Sequence, residues 1–275
     1  MQWEFAGRLG PEAGRYVVRR FAGDDPRHVV VIGGLEAPRR RRRTFVARAR
    51  TREAEPGAGV AAVEVTRATV ISTDPLPEDG ARAWLDEAVG ESEAAVGTAL
   101  ALLNRTIHGH RLSAGDAYVS EVRAEQALAT RIGYGSGEQV ADGDWEQARE
   151  LPPPREKRSM LTPQQRLAAL LSGRDVALAC EELALRARLD LDQGREREAA
   201  LQLSLALDTA LAELEGWRGS ASVARRLDEL PAHREAVAAA AAAALQGGLQ
   251  PEQTEAVAAA LARLEATLRA RAAEA

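Results

Sequence analysis

Gly133-Tyr134-Gly135-Ser136-Gly137-Glu138-Gln139-Val140 comes nearest, by residue type and spacing, to a ligand loop. Closely spaced glycines let backbone amides approach a phosphate, so Gly133, Gly135 and Gly137 are candidate anion-binding positions. No Gly-Lys-Ser/Thr follows them, as a Walker loop requires. The same glycines equally make a surface loop with positive-φ positions. His108, His110 and Asp116 are candidate metal ligands. An i, i+2 pair of imidazoles reaches one ion from a strand or loop, not from one face of a helix. The alternative is a helix end, where a cationic histidine favours the negative terminus of the dipole. Arg39, Arg40, Arg41, Arg42 and Arg43 form an uninterrupted cationic run between Pro38 and Thr44. Such a run is an electrostatic footprint for nucleic acid, or else a solvated hairpin connector. No aromatic side chain, which would stack on bases, is interleaved with it; Phe45 is adjacent. The paired acids Asp24-Asp25 and Glu181-Glu182 have no acid–base partner in view, and Cys180 lies in an apolar helical stripe beside Leu183, as a small core residue would.

Arginine is the default cation of this chain. Lys157 is the only lysine, Asn104 the only asparagine, and there are four isoleucines, the bias of a GC-rich genome. Arginine richness is therefore weak evidence for phosphate recognition. The net charge of −5 is uneven: residues 1–72 hold 14 Arg against 8 acids, and residues 73–150 hold 6 Arg against 15 acids. A single cysteine allows no intrachain disulfide and suits a cytoplasmic protein. The first five residues lack the features of a signal peptide. The longest apolar run, Ala236 to Leu245, is mostly alanine and too short to span a bilayer, so no membrane partner is expected.

Three prolines, Pro152 to Pro154, divide two grammars. They remove three backbone donors in succession, and neither a helix nor a central strand runs through them. The expected organisation is an α+β domain at 1–151, a Pro-rich charged spacer at 152–162 and an all-helical domain at 163–275. In the first, 15–20 and 28–32 read as one strand pair. Thr44–Arg50 and Val60–Ser72 read as a second, giving a four-strand antiparallel meander within 15–72. Residues 78–107 carry Leu85, Val89, Val96, Leu100, Leu103 and Ile107 at helical spacing, a lid for the sheet, with a break near Gly90. Residues 108–151 read as irregular, with a short strand at 127–134. Trp84 is expected to anchor the lid; Trp3, Trp145 and Trp217 are expected at domain edges.

The second half has a breaker at every boundary: Gly173, Gly194, Gly216, Pro231, Gly247-Gly248 and Pro251. The first helix opens on a Thr162-Pro163-Gln164-Gln165 capping box, and the second spans Asp175 to about Asp192. Others cover 195–215, 220–230, 232–246 and the stretch from Pro251, whose Val257, Leu261, Leu264 and Leu268 form a 4-3-4 seam.

Residues 178–211 resemble one tetratricopeptide-type helical hairpin. Ala187 fits the small position of the first helix, Gly194 the turn, Ala199 the next small position, and Leu203 and Ala206 the packing positions after it. The chain departs from that pattern at Asp190, where an aromatic is usual, and at Leu211, near the usual proline. The resemblance implies stacked helical hairpins and a peptide-binding groove. The fold class expected is α+β: an N-terminal antiparallel sheet with a packed helix, then an all-α helical-hairpin array. The function expected is a non-catalytic interaction or adaptor protein with a protein partner and no cofactor. The alternatives are a nucleic-acid-associated factor using Arg39 to Arg43, and an enzyme or sensor binding an anionic small molecule at Gly133 to Gly137.

Overall fold

The computed structural model describes residues 1–19, 23–35, 64–153 and 163–273. The chain divides into two compact units, Met1–Glu156 and Lys157–Ala275. The first is an antiparallel sheet with helices, and the second is built of helices, so the fold is α+β.

The strands of the first unit are β1 (Gln2–Ala6), β2 (Gly14–Val18), β3 (His28–Leu35), β4 (Val65–Ser72), β5 (Ala127–Tyr134) and β6 (Gln147–Glu150). Their order is β2-β3-β4-β1-β5-β6, with every pairing antiparallel. The expected meander holds only for β2-β3-β4. β1, which carries no turn signal of its own, sits at the centre, with Trp3 opposite Ala68 on one side and Thr130 on the other. Both edges of β4 are thereby taken, by β3 and β1. That leaves residues 65–72 no edge for a hairpin with Thr44–Arg50, which lies outside the described residues.

Alternation of side chains puts Trp3, Phe5, Val30, Ile32, Ala68 and Val70 into one core. Helices α1 (Ala81–Gly90) and α2 (Ser92–Ala114) follow β4. α2 closes that core with Leu103 and Ile107, and α1 adds Leu85 to a second cluster with Ile132 and Leu151. Glu91 interrupts the helix after Gly90, and α2 runs seven residues past the expected end at 107 to a left-handed cap at Gly115. Trp3 is fully buried at the sheet centre and not at a domain edge.

The second unit contains α3 (Pro163–Leu171), α4 (Ala179–Asp192), α5 (Glu196–Glu213), α6 (Ala221–Leu227), α7 (Arg234–Gln246) and α8 (Pro251–Ala272). Its core is alanine and leucine, with Ala184, Ala187, Ala199, Leu203, Ala206 and Leu261 among its buried members. Small side chains let α4 and α5 pack closely about the Gly194 turn, where φ is 70°. α4 starts four residues later than expected. The Glu213 carboxylate takes up the Ala179 and Cys180 amides at 3.1 and 3.0 Å, and Glu181 accepts from the Leu178 amide at 3.1 Å. Those carboxylates satisfy donors that a helix start leaves open.

Candidate functional site

The three glycines of the sequence motif lie where the sheet folds back on itself. Gly133 is in β5 opposite Ala148 of β6, and a Cβ there would stand 2.4 Å from the Gln147 carbonyl oxygen and 2.6 Å from the Trp145 ring. Gly135 is similarly close to the Glu146 amide, at 3.1 Å, and Gly137 has φ 69°. The following turn, Glu138–Asp142, lies on the second face of the sheet. The Ala141 carbonyl accepts from Gln2 Nε2 at 3.5 Å and from Thr69 Oγ1 at 3.2 Å, and the Asp142 carbonyl accepts from Arg67. Ser136 Oγ meets the Glu146 carboxylate. Gly133 and Gly135 thus serve close backbone packing, Gly137 a positive φ, and Ser136 faces an anion already.

His108 and His110 are both inside α2, where an i, i+2 pair points to different sides. His108 Nδ1 is 3.4 Å from Glu121 Oε1, and Asn104 reads both backbone groups of Val122 at 2.9 Å, which holds the 115–123 segment against the helix. Asp116 Oδ1 accepts from the Tyr118 amide at 2.9 Å. Among the described residues no three His, Cys, Asp or Glu side chains are grouped to hold a metal. Arg39 to Arg43 lie outside the described residues. Cys180 is fully buried, and burial together with the Glu213 carboxylate pushes its thiol up to about 12, so it is protonated and unreactive at neutral pH.

The densest cluster of charge in the helical unit closes the array. Arg271, with no solvent exposure, forks onto the Asp175 carboxylate, donates to the Val176 carbonyl at 3.0 Å, and stacks 4.8 Å from the Trp217 ring. Arg166 bridges Asp175 at 3.2 Å and Glu181 at 2.5 Å. Burial alone would raise the Asp175 pKa. The Val176 amide and the two guanidiniums outweigh burial and hold it below its ordinary value. Two cations and two carboxylates neutralise one another here, and the fully buried Arg271 leaves a ligand no approach. Asp190 is also spoken for: it receives Arg195 Nε at 2.5 Å and Gln202 Nε2, tying the α4–α5 turn where the tetratricopeptide pattern has an aromatic.

What remains open is the seam of α5 and α7. The two helices run antiparallel and are pinned at both ends. Arg197 Nε donates to the Ala244 carbonyl at 2.8 Å, and Arg234 bridges Asp208 at 2.7 Å. Around the Arg234–Asp208 pin lies a groove of about 480 Å³, floored by Leu207, Val237 and Ala238 and rimmed by Asp208, Arg234 and Glu235. α7 turns only Val237, Ala240 and Ala244 into the core. Its solvent side is Ala236, Ala238, Ala239, Ala242 and Leu245, with Leu205 of α5 also exposed. From Ala236 to Leu245 no helix position carries a polar side chain. The chemistry this arrangement offers is apolar burial with an ion pair at one end. Its signal in the sequence is the run Ala236 to Leu245, a helix face without a polar side chain.

No family model, no curated protein and no solved structure matches this chain.

Proposed function

We propose that this protein is a non-catalytic interaction or adaptor protein whose helical unit docks a protein partner along α5 and α7. The observation that carries the reading is the solvent side of α7. A helix at a protein surface keeps polar residues on its wet face, and a helix apolar all round is a buried one. α7 is apolar all round from Ala236 to Leu245, yet Leu245 is 73% exposed, and Leu205 on α5 is 61% exposed. Such a surface is stabilised when covered, at about 25 cal/mol per Å² of apolar area removed from water. The likeness of 178–211 to a tetratricopeptide hairpin supports the same class of function, because stacked hairpins of that type hold peptides.

The test is a photo-crosslinking residue placed at Ala242 in the native host, with Arg263, an exposed position on α8, as the control. The expected result is one defined protein adduct from position 242 and none from 263. Equal labelling from both positions, or none from either, overturns the reading.

A further inference from the structure

We draw no further inference here: the strongest candidate, the exposed leucine ridge of α3 at Leu167 and Leu171, is an apolar surface patch for which nothing among the described residues shows what covers it.

Discussion

The two units place charge differently. In the sheet unit the polar groups buried beneath the sheet centre are neutral: Gln2 bonds Thr69 at 3.0 Å, and both meet the Ala141 carbonyl. Glu121 is that unit's one deeply buried carboxylate among the described ion pairs, 5% exposed beside His108, whereas Glu4 sits at the margin 3.4 Å from Arg67 and 2.9 Å from Arg131, all 20–32% exposed. The helical unit drives a guanidinium wholly inside. The difference follows from the cores. Trp3, Phe5, Val30 and Ile32 give the sheet a large apolar area and a register set by alternation. An alanine-rich helical core buries less area per residue, and alanine faces slide past one another with little penalty. The Arg271–Asp175 fork fixes how the end of α8 meets the segment before α4.

That contrast is breakable, beginning with the largest effect. Arg271→Met leaves Asp175 buried without its main partner and should cost about 3–5 kcal/mol, whereas Asp175→Leu with Arg271→Met should recover much of it. Urea unfolding with hydrogen exchange read in α8 is the measurement. If Arg271→Met costs no more than Arg131→Gln, the lock is not what closes the array. Next come the tight contacts of each unit. Ala199→Leu at the α4–α5 contact and Gly133→Ala between β5 and β6 should each cost about 1–3 kcal/mol by overpacking. An unchanged melting temperature for Ala199→Leu would mean that the hairpin face is slack, and for Gly133→Ala that the glycine serves something other than packing.

Acid should then separate the units. Asp175 is held below its ordinary pKa. So is Glu213, for which burial works upward but the Cys180 and Ala179 donors prevail. A carboxylate depressed in the folded state stabilises it above the unfolded pKa, near 4, and that stabilisation is lost as pH falls through the depressed value. Exchange protection in α4 and α8 should therefore fall before that of β1 and β4 as pH drops below about 4, and Glu213→Gln should flatten the α4 response. Simultaneous loss in both units would put the acid sensitivity elsewhere. The smallest effect is at the sheet margin: Arg131→Gln should cost under about 1 kcal/mol, because a third of its side chain meets solvent.

How far the sequence could be read follows the range of the contacts. Gly194, Gly247 and Pro251 mark helix ends by local backbone chemistry, and the Val257–Leu261–Leu264 seam is buried as its spacing implies. α4 starts at Ala179 and not at Asp175 because Asp175 answers to Arg271, 96 residues away. In the sheet, β5 falls at 127–134 as its β-branched and aromatic content suggests. β1 and β6 carry less of that signal: β1, Gln2–Ala6, has no β-branched residue, and β6 is Gln-Ala-Arg-Glu. The candidate sites fared by the same rule. The His108–His110 spacing was legible, but the helix that parts the two rings extends to Gly115, past the last apolar residue of its stripe.

β1 has a consequence in time. Residues 2–6 are hydrogen-bonded to β4 on one side and β5 on the other. On a ribosome adding about 5–20 residues per second, the interval between residue 6 and residue 134 is on the order of ten seconds. Throughout it Trp3 and Phe5 have no finished site to enter. In the helical unit the neighbouring helices α4 and α5 can meet as soon as both are made, and the later wait is for the Arg271–Asp175 contact, 96 residues apart. Nascent-chain protection by chaperones should matter to the first half of this protein more than to the second, because it is the large apolar side chains of β1 that wait.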